Sequence, residues 1–67
     1  MEKKKSRYAN IEAERVRNGL SKVELSKVLE ISPRTYTNWQ YQNGDIPASK
    51  LVKLSKFFGC TIDYLLA

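Results

Sequence analysis

Apolar positions recur at helical spacing along most of the chain, with short punctuation marks between the runs. From about Ser6–Tyr8 to Asn18 the stripe is Tyr8 or Ala9, Ile11 or Glu12, Arg15 and Val16. This suits a helix packed on one side and stopped by Gly19, with Leu20 following. Arg15 falls beside that stripe, so it either carries its charge out to solvent or meets a polar partner elsewhere. Ser21 with Glu24 three residues later is a capping box that opens a second helix, with Leu25 and Leu29 on one stripe. Ser32 before Pro33 opens a third, because the N–H that proline lacks is not needed at the first helical position. Tyr36 and Trp39 should face the core from that helix. Only Glu30-Ile31 separates the second helix from the third start, and two helices joined so tightly form a helix-turn-helix. Asn43-Gly44 reads as a C-terminal stop followed by a turn. Pro47 opens a fourth helix in which Leu51, Leu54, Phe57 and Phe58 repeat at i, i+3 and i+7, and Gly59 ends it. Thr61 caps a last short helix from Ile62 to Leu66, with Asp63 placed in its first turn to favour the helix dipole. Sustained strand alternation is lacking, so the expected fold is all-α with five helices.

Composition narrows what such a fold can do. At 67 residues the chain holds one domain with a modest core. Twelve basic against seven acidic residues give +5, which favours a polyanion without deciding for one. Cys60 is the sole cysteine, so an intrachain disulfide is impossible and an intracellular setting is favoured. No apolar run approaches a membrane span and the N-terminus lacks the apolar core of a signal peptide. The expectation is a soluble cytoplasmic protein with no membrane partner. No histidine and one cysteine are too few for a structural zinc site. Gly19, Gly44 and Gly59 are scattered rather than gathered into a phosphate loop. Glu12 and Glu14 diverge on a helix instead of converging as an acid–base pair. The expectation is a protein that is not an enzyme and needs no cofactor or metal. At the N-terminus, Lys3, Lys4, Lys5 and Arg7 stand against one acid, Glu2. Two compatible readings follow: a solvated tail, or a basic arm that lies along phosphates or enters a groove. This divides the chain into an arm over 1–6 and a domain over 7–67.

The third helix displays Arg34, Thr37, Asn38 and Tyr41 away from its buried residues. Such side chains can donate, accept and touch methyl groups, which is what reading base edges requires. Periodicity alone fits an ordinary solvated helix face equally well. Other residues add to the picture: Gly19-Leu20-Ser21, Glu24-Leu25, Ile31-Ser32, Thr35-Tyr-Thr-x-Trp39, Pro47 and Phe58-Gly-Cys-Thr-Ile-Asp-Tyr-Leu-Leu66. Through these, residues 8–66 resemble the Cro/lambda-repressor-type helix-turn-helix domains of the XRE family.

The resemblance implies a lambda-repressor-like five-helix bundle that places its third helix in the major groove of double-stranded DNA. Pro33, Arg34, Thr37 and Asn38 match the base-facing positions: Arg34 toward guanine, Asn38 toward adenine, the Thr37 methyl toward thymine, and Pro33 offering apolar contact alone. Ser21, Lys22, Thr35 and Tyr41 match positions that meet backbone phosphate. The family typically binds as a homodimer on half-sites roughly 34 Å apart. Its dimers often form near the last helix, which makes Phe57, Tyr64 and Leu66 the interface candidates, unless they finish the monomer core. Lys50, Lys53 and Lys56 read as a solubilising face ahead of a phosphate track, and Cys60 as a small hydrophobe.

The chain also departs from the family pattern. Lys22 replaces a glutamine. Glu30 stands where glycine is favoured, so either a non-glycine residue goes left-handed at roughly 1 kcal/mol or the turn differs. Gln40 replaces the glutamate that pairs with the first-helix arginine, here Arg15, leaving Glu12 as the nearest counter-charge. The glycine and proline of the 40–47 loop both come later than usual. The resemblance implies a sequence-specific transcriptional regulator, a repressor bound as a homodimer to a palindromic operator, of phage or mobile-element origin. The rivals are an antitoxin-like or inhibitor module that occludes a protein partner, and an accessory domain of a larger enzyme. Whether Ala67 ends a complete regulator or the DNA-binding half of a longer one stays open.

Overall fold

Three hydroxyls start three of the helices. The Ser21 hydroxyl accepts from the Glu24 N–H at 3.0 Å while the Glu24 carboxylate accepts from the Ser21 N–H at 2.8 Å, completing the capping box. Ser32 accepts from the Thr35 N–H and Thr61 from the Tyr64 N–H, each at 3.1 Å. The computed structural model describes residues 6–67. Its helices are α1 (Ala9–Arg17), α2 (Lys22–Leu29), α3 (Pro33–Tyr41), α4 (Ala48–Phe58) and α5 (Ile62–Leu66), with no strand among the described residues.

α2 ends on Glu30 at φ 58 and ψ 42, so a non-glycine residue does take the left-handed conformation there, at a cost of roughly 1 kcal/mol. Two lysines of α4 converge on the same end. The Lys50 ammonium donates to the Leu29 carbonyl at 2.7 Å, and Lys53 lies 3.3 Å from the Glu30 carboxylate. A cation on the last carbonyls of α2 complements its dipole, so Lys50 fastens α4 to α2 rather than facing solvent alone. Lys56 remains exposed.

Ile11, Leu25, Leu29, Tyr36, Trp39, Leu54 and Leu65 form one buried cluster drawn from all five helices. Tyr8, Leu20, Ile31, Ile46, Phe58, Cys60 and Tyr64 pack around it, half-buried. Two expectations are corrected. Val16, assigned to the inward stripe of α1, is 64 % exposed, and Glu14 is buried in its place at 6 %. The reason is polar pairing with α5: Tyr64 donates its hydroxyl to Glu14 at 3.0 Å and accepts Asn10 Nδ2 on its carbonyl at 2.7 Å. Arg17 adds an ion pair to Glu14 at 3.3 Å. α1 therefore turns Asn10, Ile11 and Glu14 toward α5, a face set by hydrogen bonds as much as by apolarity. The second correction concerns Asn43-Gly44. α3 stops at Tyr41, and Gly44 is not left-handed, so no glycine cap closes this helix. Its terminal carbonyls are taken by Arg7 instead, as described next.

Candidate nucleic-acid interface

α3 has two unlike sides. Tyr36, Trp39 and Gln40 are buried, whereas Pro33 and Arg34 are exposed and Thr35, Thr37, Asn38 and Tyr41 are half-exposed. The buried side carries polar groups, and those of Tyr36 and Gln40 are all hydrogen-bonded. The Tyr36 hydroxyl donates to Glu12 Oε1 at 2.6 Å and accepts Gln40 Nε2 at 3.2 Å. Glu12 in turn accepts both Arg15 Nε at 3.1 Å and Arg15 Nη2 at 2.9 Å, so the carboxylate one turn away supplies the counter-charge that Gln40 cannot. Arg15 Nη1 then donates to the Leu20 carbonyl at 2.6 Å, immediately before the Ser21 cap. Among the described residues no buried side-chain nitrogen or oxygen lacks a partner. One chain of hydrogen bonds thus joins α3, α1 and the start of α2.

Charge follows the same path. Burial pushes the Glu12 carboxyl up, but the hydrogen bonds from Arg15 and Tyr36 outweigh it and hold the group below its ordinary range. Burial, then the Glu12 hydrogen bond, push the Tyr36 phenol up, so it stays a proton donor at all ordinary pH.

Gln40 explains a second attachment. Its Oε1 accepts from the Tyr8 N–H at 3.0 Å and its Nε2 donates to the Tyr8 carbonyl at 3.2 Å. Next to it, the Arg7 N–H donates to the Gln40 carbonyl at 2.7 Å. Arg7 Nη1 donates to the carbonyls of Gln42 and Gly44, both at 2.8 Å, and more weakly to that of Trp39 at 3.3 Å. Arg7, grouped with the N-terminal arm on its charge, is tied to the C-terminal end of α3. Lys3, Lys4 and Lys5 lie outside the described residues.

The outward positions are arranged as follows. Arg34 forms no ion pair among the described residues. The Thr35 hydroxyl lies 3.0 Å from the Ser32 cap hydroxyl. Asn38 Nδ2 donates to Gln42 Oε1 at 3.1 Å. Lys22 holds its ammonium 5.2 Å from the Tyr41 ring centroid, joining the first turn of α2 to the last turn of α3. The Ser21 hydroxyl is occupied by its capping bond, which leaves the N–H groups of Lys22 and Val23 as the unpaired donors of that helix start. Of the interface candidates, Phe57 is 47 % and Leu66 45 % exposed, whereas Tyr64 is half-buried on Glu14.

Sequence reasoning missed Arg7, Gln40 and Gly44 as attachments. Gly44 could be noticed only by what surrounds it: a Cβ there would fall 1.9 Å from Asn38 Oδ1. No helix among the described residues is long and apolar enough to cross a membrane, and no three acidic or cysteine side chains among them gather as metal ligands.

Two capped helices meeting at a tight left-handed turn, the second open on one side, define a helix-turn-helix DNA-binding domain. A family model described as Helix-turn-helix matches residues 11–65. The chain belongs to this family of Cro/lambda-repressor-type domains and is a DNA-binding regulator of that kind. No curated protein matches it.

Proposed function

We propose that the chain is a sequence-specific repressor that occupies promoter DNA as a homodimer on a palindromic operator, in the cytoplasm and on the nucleoid. α3 lies in the major groove, with Pro33, Arg34, Thr37 and Asn38 toward base edges. The free N–H groups and ammonium at Lys22, with Thr35 and Tyr41, meet the flanking phosphates, and Ser21 contributes by fixing the helix start. The observation that carries this reading is the asymmetry of α3: Tyr36, Trp39 and Gln40 are fully engaged inside, while Arg34 stands exposed with no ion-pair partner among the described residues. The exposed Phe57 and Leu66 support pairing of two copies through α4 and α5.

Selection from random duplex DNA at near-physiological salt tests the reading. The expected outcome is enrichment of an inverted repeat with half-site centres about 10 base pairs apart. Failure to enrich any sequence would remove the specific-regulator reading. It would also favour the alternative in which the exposed Phe57 and Leu66 serve an antitoxin-like or inhibitor module that occludes a protein partner.

A further inference from the structure

Asn38 is not a free side chain. Its Nδ2 donates to Gln42 Oε1 at 3.1 Å, and its Oδ1 lies so close to Gly44 that a Cβ there would stand 1.9 Å away. The carboxamide is therefore held on one side by an amide and on the other by the only residue type whose backbone can approach so near. Gly44 does not have a positive φ, so close approach alone sets it apart: a Cβ there would displace the Asn38 carboxamide and stand 3.1 Å from Trp39 Cδ1. The segment that does the holding is itself pinned from outside α3. Arg7 Nη1 binds the carbonyls of Gln42 and Gly44, both at 2.8 Å, and the Arg7 N–H binds the Gln40 carbonyl at 2.7 Å. With no glycine cap after Tyr41, these bonds hold the end of α3 where a Schellman turn would otherwise do so.

We infer that Arg7 is a positioning residue for base readout: it fixes the Gln42–Gly44 segment, which sets the rotamer in which Asn38 meets DNA. The inference rests on the proposed role of Asn38 at the bases. It assigns Arg7 a job different from that of an arm cation, and the two jobs leave different marks. A cation on phosphate adds affinity evenly across sequences and contributes about one unit to the salt slope. A residue that orients Asn38 changes preference at one base pair and leaves the salt slope alone.

The test compares the parent chain with Asn38→Ala, Arg7→Ala, Arg7→Lys, Gln42→Ala and Gly44→Ala on the selected operator and on its single-base-pair variants, across a salt series. Arg7→Lys keeps the charge, but its shorter side chain does not carry a nitrogen to the place from which Arg7 Nη1 reaches both carbonyls. The expected result is that Asn38→Ala loses at least about fivefold discrimination at one base pair. Arg7→Lys, Gln42→Ala and Gly44→Ala should lose discrimination at that same pair with unchanged salt slopes. Amide-exchange protection in the core of α3 reports that each variant is folded, and Gln42→Ala, an exposed truncation, covers the case in which Arg7 or Gly44 variants unfold. Uniform weakening with a reduced salt slope for an Arg7→Ala variant, and intact discrimination in Gln42→Ala and Gly44→Ala, would overturn the inference while leaving Asn38 a reader. No base-pair effect from Asn38→Ala would instead remove Asn38 from the readout, and the inference with it.

Discussion

Replacing Gln40 with glutamate puts back the residue type that related domains carry and should damage this one. Gln40 is fully buried and uses both ends of its amide: Oε1 accepts from the Tyr8 N–H, and Nε2 donates to the Tyr8 carbonyl and the Tyr36 hydroxyl at 3.2 Å each. A carboxylate keeps the first bond and loses both donations. It sets an anionic oxygen against the Tyr8 carbonyl, and it competes with Glu12 for the single proton of Tyr36. The Tyr8 carbonyl keeps the Ile11 and Glu12 N–H groups, so the cost is a Tyr36 hydroxyl without its donor and a buried anion set against that carbonyl, about 1–3 kcal/mol each and about 3 kcal/mol together at neutral pH. For a domain of this size that is a fall in Tm of about 12–24 °C. Urea unfolding followed by the fluorescence of Trp39, the one tryptophan and a buried one, measures it directly. The introduced carboxyl is buried near Glu12, so its pKa in the fold lies above its unfolded value of about 4.3. The native state then binds more protons than the unfolded one between those two values, so the variant loses stability as pH rises through that window and regains it as pH falls toward about 4.3. A variant as stable as the parent at pH 7 would refute the reasoning. It would mean that the new carboxylate had captured Arg15, and that the Tyr8 contacts of Gln40 contribute little.

The other expectations follow from single contacts. Changing Glu30 to glycine should raise stability by about 0.5–1 kcal/mol, because glycine accepts φ 58 without strain and the lost ion pair to Lys53 is exposed; a lower urea midpoint would contradict this. Arg34→Ala should cost about 1–3 kcal/mol on the preferred duplex and relax preference at one base pair, whereas an unchanged selection profile would exclude Arg34 from the readout. Lys22→Ala should weaken binding evenly across sequences and lower the salt slope by about one unit, and a loss confined to one sequence would contradict its place on phosphate. Because the Glu12 carboxyl is held below its ordinary range, its contribution is complete above about pH 4.5 and disappears as pH falls through that range toward its folded value. Acid unfolding of Glu12→Gln should accordingly show a shallower limb than the parent, and parallel limbs would contradict the pairing.

Much of this domain could be read from residue order because its helix starts are local events. Ser21, Ser32 and Thr61 each close a first turn with partners three residues away, and Leu25, Leu29, Tyr36, Trp39 and Leu54 lie inward as their spacing requires. Even the left-handed Glu30 was readable as one of two alternatives, and Glu12 as the nearest partner for Arg15. What resisted reading depends on contacts between distant parts of the chain. Val16 looks like a core residue until α5 offers Tyr64 to Glu14, fifty positions away. Arg7 looks like a tail cation because its partners lie 32 to 37 positions downstream and are backbone carbonyls, which carry no side-chain signature.

Glu12 and the departures at positions 40 and 44 make sense as one arrangement. Arg15 needs a carboxylate wherever the chain supplies one, and Glu12 supplies it from the same helix at 2.9 Å, with Tyr36 bridging to α3 at 2.6 Å. Position 40 is then released from counter-charge duty. Of the side chains that fit there, an amide alone can both accept from the Tyr8 N–H and donate to its carbonyl, which is what Gln40 does. Fastening Tyr8 to α3 brings Arg7 within reach of the carbonyls that follow Trp39, and this lets α3 end without a left-handed glycine. Gly44 is thereby freed to lie against Asn38. The carboxylate on α1 and the glycine against the reading helix therefore belong to the same change. Reverting position 40 alone should be harmful, because its neighbours on both sides are already committed to an amide.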